Sequence, residues 1–449
     1  MKQNFDLVVV GTGVAASTVA GRCRKEGWSV AVIDSRPFGG TCALRGCDPK
    51  KVLVGVASLA DWARRMQGKG FDSGRASLDW PALMRFKRTF TDPVPESRER
   101  DFAEQGIAAF HGRARFEGPA AIRVGEDLLS FRSAVIAAGA APARLHIEGE
   151  SLLATSDDFL ELERMPARIV FIGGGYIAFE FAHIAARAGA AATILHRGER
   201  PLELFDPDLV GNLVAHTRSL GIRVELGTEA AGVVKNAQGL VAVAKTKAGE
   251  QRFPADLVVH AAGRVPPLDD LNLASANVEA ERRGVKVNEF LQSITNPAIY
   301  AAGDAAASGA PLTPVAGYEG SIAADNLIRG NHRKLNYAGL ASVVFTIPPL
   351  TAVGMHEEAA RAEGLRFRRI FKDTTGWYSS RRIAEECSGF KVIIEEETGR
   401  ILGAHVLGEG ADEVINVFAL AIRTGLRADS LRDVLWAYPT HGSNLQYMV

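Results

Sequence analysis

The sequence predicts an α/β protein in which one strand, turn, helix and strand unit occurs twice on parallel sheets, followed by an α+β region of different character. Three observations carry this expectation. The segments VVVGTGVAASTVAGRCRKEGWSVAVIDSR from Val8 and VFIGGGYIAFEFAHIAARAGAAATILHRG from Val170 align at a constant offset of 162 residues. Each reads as an apolar run, a Gly-x-Gly-x-x-Ala turn, a helix-length stretch closed by Gly27 or Gly189, and a second apolar run. Beyond Asn336 the pattern changes to alternating strand-like runs such as KVIIEEETGRILGAHVLG, whose Glu397-Thr398-Gly399 turn signal suggests an antiparallel sheet flanked by helices. At about 100 to 200 residues per domain, 449 residues allow roughly three domains.

The residues of the repeated turn each have a physical task. Gly11 and Gly173 allow the tight turn, Gly13 and Gly175 let the backbone approach a pyrophosphate, and Ala16 and Ala178 let helix and strand pack closely. Two such motifs at matched spacing predict two Rossmann-like dinucleotide-binding domains. They diverge at the end of the second strand. Asp34 in the first copy suits a hydrogen bond to a ribose 2′-hydroxyl, whereas the second copy has His196, Arg197 and, nearby, Arg200, a cationic set that favours a 2′-phosphate. An unphosphorylated adenosine is therefore expected in the first site, and NADPH in preference to NADH in the second. Further on, AIYAAGDAA at 298–306 reads as a strand and 313–329 as a helix. The expected division is 1–147, 148–267, 268–336 and 337–449, with the first and third parts forming one domain split around the second.

Composition excludes several classes of function. With 52 basic and 52 acidic side chains, nothing electrostatic points to nucleic acid or an anionic membrane as a partner. Asp6 interrupts what would have to be a signal segment, and no apolar run approaches the roughly 20 residues of a membrane span, so a cytoplasmic location is expected. Four cysteines in so long a chain are no secreted disulfide framework. Cys23 and Cys387 are scattered, but Cys42 and Cys47 form a Cys-x4-Cys pair in GGTCALRGCDPKK at 39–51. On an ideal helix their Cα atoms would lie about 8 to 9 Å apart, beyond the roughly 4.4 to 6.8 Å of a disulfide. The backbone between them must therefore be distorted, which Gly46 eases, and a strained pair beside a helix start is reducible with lowered thiol pKa values.

With this segment the chain resembles the flavin-dependent pyridine nucleotide-disulfide oxidoreductases of class I, the group that includes glutathione reductase, dihydrolipoamide dehydrogenase and mercuric reductase. The resemblance spans essentially the whole length. It is carried also by AVIAAGAAP at 134–142, IGGGYIAFEFA at 172–182, HAAGRVPP at 260–267, YAAGDAA at 300–306, LTPVA at 312–316 and VVFTIPPLTAVG at 343–354. It implies FAD in the first site, with Asp34 on the adenosine ribose, Asp304 on the ribityl chain and Thr313 near the pyrimidine edge of the flavin. Lys50 would pair with Glu180 beside flavin N5, and Tyr176 would be a lid that moves for nicotinamide. The motifs add Thr41, Gly139, Ile177 and Gly263 to the implied cofactor-binding set. Hydride would pass from NADPH to the flavin and electrons on to a Cys42–Cys47 disulfide, Cys47 nearer the flavin and Cys42 attacking substrate. The region from residue 337 resembles a dimerisation domain, implying a homodimer whose active sites are completed by the partner's C-terminus.

Departures from the family pattern bear on the acceptor. Disulfide-reducing members end in His-Pro-Thr followed shortly by Glu, a base with its orienting carboxylate. Here AYPTHGSN puts Tyr438 at the histidine position and Ser443 at the glutamate position. Either the chemistry needs no imidazole, or His441 supplies one; of the other histidines only His196 is assigned a role. Gly21 and Ser321 stand where glutathione reductases carry arginines for the tripeptide, and a stacking tyrosine falls near Arg98, so glutathione fits poorly. Glu203 replaces a second arginine of the NADPH-specific relatives, for which Arg200 can compensate. The leading expectation is an NADPH-dependent, FAD-containing reductase of a small-molecule disulfide or other acceptor. The alternative is a metal-ion or quinone reductase of the mercuric reductase kind using the same cysteines, although no C-terminal cysteine pair or preceding paired-cysteine domain is seen. A non-catalytic flavin redox sensor is the remote third.

Overall fold

In the computed structural model, residues 2–72, 74 and 77–449 are described, and they form two compact units. The first comprises Met1–Lys50, Phe86–Ala143 and Gly263–Asn336; the second comprises Lys51–Arg85, Arg144–Ala262 and Tyr337–Val449.

The first unit is built on the strand Lys2–Val10, whose residues Leu7–Val10 are buried on both faces. Such a run belongs inside a parallel sheet covered on both sides. It pairs in parallel with Val30–Asp34 on one side and with Asp127–Ile136 on the other. The long strand Asp127–Ile136 divides its second edge: its first half pairs antiparallel with Ala121–Val124, and its end pairs in parallel with Ile299–Ala301, through Ala134, Val135 and Ile136. A segment more than 160 positions downstream thereby completes the first sheet. The strand expected over 298–306 is only three residues long, because Gly303 (φ +68°) turns the chain into the short 3-10 helix Gly303–Ala305. The helix expected at 313–329 is present as Thr313–Arg329 and lies close against Val14–Lys25, where a Cβ on Gly320 would come within 2.8 Å of the Ala15 carbonyl oxygen.

The second unit carries the repeat of this design. Its parallel sheet runs Arg223–Glu225, Ala191–Leu195, Arg168–Ile172, Leu257–His260, beside an antiparallel hairpin sheet of Glu229–Asn236, Gly239–Thr246 and Gly249–Ala255. The C-terminal region forms a five-stranded antiparallel sheet in the order Ala341–Val344, Leu350–Gly354, Ile401–Leu407, Gly389–Glu395, Phe367–Asp373. The helix Ala411–Thr424 buries Val414, Ile415 and Phe418 against this sheet's core of Phe390, Val392 and Val406. Among the described residues, no helix is long and apolar enough to cross a membrane.

Candidate active site

The helix Gly40–Arg45 stops at Gly46 (φ −144°, ψ −112°), and a 19-residue helix restarts at Cys47. The distortion required by the cysteine spacing therefore sits at the glycine. A Cβ there would meet the Thr41 carbonyl oxygen at 2.9 Å and Cys42 Cα at 3.3 Å. Cys42 and Cys47 are free thiols in contact with one another. Cys47 is exposed at the start of its helix, with Sγ 3.1 Å from Thr313 Oγ1; Cys42 Sγ lies 3.9 Å from Asp48 Oδ1.

The two thiols are electrostatically unequal. The hydrogen bond from Cys42 pulls Cys47 down to about 6; burial opposes this, while the Thr313 hydroxyl and the Lys50 ammonium assist. Cys42 is pushed far up, first by its hydrogen bond with Cys47 and then by burial. The first proton of the pair therefore leaves Cys47, and the single negative charge rests there. Cys23 and Cys387 are buried, and burial raises each to about 12.

Around this pair the first nucleotide motif forms an anion cradle. Gly11 (φ +113°) passes so close to the neighbouring strand end that a Cβ would lie 2.3 Å from the Ala137 carbonyl oxygen. The helix Val14–Lys25 begins at Gly13 without a side-chain cap and without an acidic residue in its first turn. By contrast, Asp206 caps Pro207–Ser219 and Thr155 caps Ser156–Phe159. Open amide donors at the positive end of a helix dipole suit a pyrophosphate. Asp34 sits at its strand end, where Oδ2 accepts from Thr12 N (3.0 Å) and Thr12 Oγ1 (2.7 Å). Asp304 is mostly buried, which raises its carboxyl pKa against the pull of Arg264. Gly139 and Gly263 hold left-handed backbone at φ +66° and +112°, and Thr41 lies in the helix that ends at Gly46.

Two residues of this site escaped the sequence reading. Thr12 links the glycine turn to Asp34 and accepts from Gly39 N, which ties it to the cysteine segment. Glu319, fully buried in the helix Thr313–Arg329, accepts from Gly303 N (2.7 Å) and Ser308 Oγ (2.8 Å), so it holds the turn that carries Asp304. A glutamate among the mostly small and apolar residues of PVAGYEGSIAA at 314–324 was a faint signal of it.

The second motif repeats the cradle. Gly173 (φ +126°) would place a Cβ 2.2 Å from the Ala261 carbonyl oxygen, and the helix Tyr176–Arg187 again starts uncapped, at Gly175. Tyr176 opens the helix with 44% of its surface exposed, followed by Ile177. Glu180 is buried and accepts from Phe345 N at 2.8 Å. His196 lies against Gly174 and Gly198, and its Nε2 donates to the Arg200 carbonyl oxygen at 2.9 Å, so the ring braces the loop that presents Arg197 and Arg200. Arg197 is exposed; Arg200 lines a cavity of about 430 Å³ together with Glu203 and Asp206.

In the C-terminal segment Tyr438 is 75% exposed. Ser443 is buried: its Oγ donates to the Thr440 carbonyl oxygen (2.7 Å) and accepts from Thr440 N (3.2 Å). It therefore closes a turn. His441 packs against Gly410, and its pKa is lowered by burial, then by Arg382, with Asp412 opposing.

Two dinucleotide cradles, a vicinal thiol pair at a broken helix and a C-terminal antiparallel sheet define a flavoprotein oxidoreductase of the dithiol/disulfide class. The chain belongs to the pyridine nucleotide-disulphide oxidoreductase family, whose pattern matches residues 5–320, with the family's dimerisation domain over residues 340–449. It is 32% identical to a glutathione reductase of Burkholderia cepacia over 98% of this chain and 97% of that protein. It is 30% identical to a mercuric reductase of Staphylococcus aureus over 99% of this chain and 81% of that protein. In structure it is similar to the Cu(II) complex of the HOCl-induced flavoprotein disulfide reductase RclA from Escherichia coli, with a TM-score of 0.89 at 25% identity and 99% of both chains covered. FAD and NAD(P)H are thus its cofactors, its chemistry is that of an oxidoreductase, and the dimerisation domain indicates a homodimer.

Proposed function

We propose that this protein passes reducing equivalents from NADPH through FAD to the Cys42–Cys47 pair, and from there to an acceptor other than glutathione. The carrying observation is the asymmetric thiol pair, with Cys47 the acidic member beside Thr313 and Cys42 the weakly acidic one beside Asp48. Bound FAD supplies the two-electron relay between nicotinamide and sulfur. The open amides after Gly13 and Gly175 hold the pyrophosphates, Asp34 the adenosine ribose, and Arg197 with Arg200 the 2′-phosphate. Lys50 stabilises negative charge near Cys47, and Tyr176 and Ile177 border the nicotinamide entry.

The glutathione-binding positions argue against that substrate. Ser321 accepts from Arg22, and Arg22 is ion-paired with Asp325, which also takes Arg333 at 2.5 Å. Arg22, the residue that follows Gly21, is therefore engaged within the protein. Each lost charge-assisted contact to a substrate carboxylate costs about 1.5 to 3 kcal/mol.

A second reading, reduction of a soft metal ion bound by the same sulfurs, draws support from Tyr438 at the histidine position and from the mercuric reductase relatives. Thiolates select such ions, and no departing thiol then needs a proton. Anaerobic titration of the holoenzyme with NADPH, followed by glutathione disulfide, other disulfides, quinones, Hg(II) or Cu(II), tests both. Fast reoxidation by glutathione disulfide would overturn the first reading. A Cys42→Ser variant with undiminished turnover of the best acceptor would remove the cysteine pair from the route.

A further inference from the structure

Away from both nucleotide motifs, three side chains from distant parts of the second unit converge. Asp206 caps the helix Pro207–Ser219, His356 precedes the helix Glu357–Ala362, and His405 lies in the strand Ile401–Leu407. One ligand atom from each lies within 4.8 Å of the others. The two imidazoles stack with centroids 4.6 Å apart.

Hydrogen bonding fixes which nitrogens are available. His405 Nε2 faces the Met355 carbonyl oxygen at 3.1 Å, and His356 Nε2 faces the Leu204 carbonyl oxygen at 3.0 Å. A carbonyl only accepts, so each Nε2 carries the proton and each neutral ring presents an unprotonated Nδ1. Histidines that ligate metals are oriented in this way, by donating the other ring N–H to a backbone carbonyl. His405 is completely buried, and its Nδ1 has no hydrogen-bond partner. A buried polar atom left without a partner is uncommon and calls for an explanation.

We propose that Asp206, His356 and His405 form a site for one divalent transition cation of borderline softness, such as Zn(II). Two imidazoles and one carboxylate match its ligand preference, and water from the adjoining cavity of about 430 Å³, which Asp206 and His356 line, completes the shell. Asp206 commits Oδ1 to its helix start and meets Lys391 Nζ with Oδ2 at 2.7 Å. Lys391 also holds Asp208 at 2.5 Å and reaches Glu357 at 3.7 Å, so it keeps partners when Asp206 turns to the cation. Glu357 is shared with Arg361 and Arg369, which leaves Asp206 and Asp208 facing a single ammonium with room for further positive charge. Bonds of about 2.1 Å in a tetrahedral shell put ligand atoms roughly 3.4 Å apart, so small side-chain rotations close the site. The cation would clamp the loop that follows Arg200 to the C-terminal sheet.

Zn(II) titration of the oxidised holoenzyme tests this, because closing the Cys42–Cys47 disulfide removes the competing thiolates. One equivalent per chain is expected, together with a rise in thermal midpoint. Affinity should fall more than about tenfold in His356→Ala and in His405→Gln, and stay unchanged in His332→Ala. His356→Ala alters a half-exposed side chain, so it remains informative should His405→Gln fail to fold. Equal Zn(II) affinity in wild type and His356→Ala, or no saturable binding to wild type, would overturn the assignment.

Discussion

Replacing Cys42 with alanine removes the hydrogen bond that leads the lowering of the Cys47 pKa to about 6. At pH 7 a thiol of pKa 6 is roughly 90% thiolate, whereas an ordinary cysteine of pKa about 8.5 is roughly 3% thiolate. The rate at a single pH hides this thirtyfold difference. Nucleophilicity falls as pKa falls, with a Brønsted slope of about 0.4 to 0.5, so a 2.5-unit shift gives back roughly tenfold or more. The decisive quantity is the midpoint of alkylation rate against pH, measured with iodoacetamide on reduced holoenzyme and read by mass spectrometry at each cysteine. The native midpoint at Cys47 should lie near 6. In Cys42→Ala it should rise by a unit or more, with the high-pH plateau increasing about threefold per unit. Cys23 and Cys387 remain silent, being buried with thiols raised to about 12. An unchanged midpoint in Cys42→Ala would refute the claim that the neighbouring thiol sets the acidity, and would shift the cause to Thr313 and Lys50.

Gly46→Ala forces a Cβ to within 2.9 Å of the Thr41 carbonyl oxygen, and overpacking against backbone costs about 1 to 3 kcal/mol. A lower denaturant midpoint and slower closure of the Cys42–Cys47 disulfide are expected, and an unchanged rate of closure would show that the helix break is not needed. Asp61→Asn breaks a buried network in which Asp61 binds Arg65 and Arg187, each at 2.8 Å, and should cost about 3 to 5 kcal/mol in denaturant unfolding. Burial alone would raise the Asp61 pKa, but Arg187 and Arg65 outweigh it and lower the value below 3.8. Its contribution is therefore full above the unfolded value near 4 and is lost as pH falls through the folded one, so acid unfolding of Asp61→Asn should be less steep. Arg197→Ala should raise KM for NADPH more than for NADH; an equal rise would end the 2′-phosphate assignment.

Legibility in the sequence followed the repetition of pattern. The two nucleotide units were readable because turn, helix and strand are encoded within about thirty consecutive residues, and the offset of 162 exposes the repeat. The break at Gly46 followed from covalent geometry alone. Single polar contacts left no repeating pattern even where the partners lie only 16 or 22 positions apart: Glu319 on Gly303 N and Thr12 on Asp34 look like ordinary polar residues until folding brings their partners near. His356 and His405 read as unremarkable histidines 49 positions apart, and Asp206 drew no notice, because pairing between two sheet strands and a helix start fixes their meeting. His196 was read for its charge, and its packing between Gly174 and Gly198 and its bond to the Arg200 carbonyl oxygen add a bracing contact that the sequence did not announce.

The order of ionisation in the cysteine pair also separates the two acceptor readings. With the first charge on Cys47, Cys42 keeps its proton well above neutral pH. A disulfide acceptor needs Cys42 as the attacking thiolate, and Tyr438 with Ser443 provides no imidazole and carboxylate to take that proton. Turnover of a disulfide should therefore climb through pH 7 to 9 at about tenfold per unit, unless His441 acts as the base and flattens the profile above its own lowered pKa. His441→Asn then leaves the climb untouched in the first case and restores it in the second. A soft metal ion alters the requirement, since coordination itself deprotonates a thiol. Its reduction should vary little between pH 7 and 9 and be indifferent to His441→Asn. A metal-ion rate that rises tenfold per unit alongside the disulfide rate would show that ionisation of Cys42 does not distinguish the acceptors.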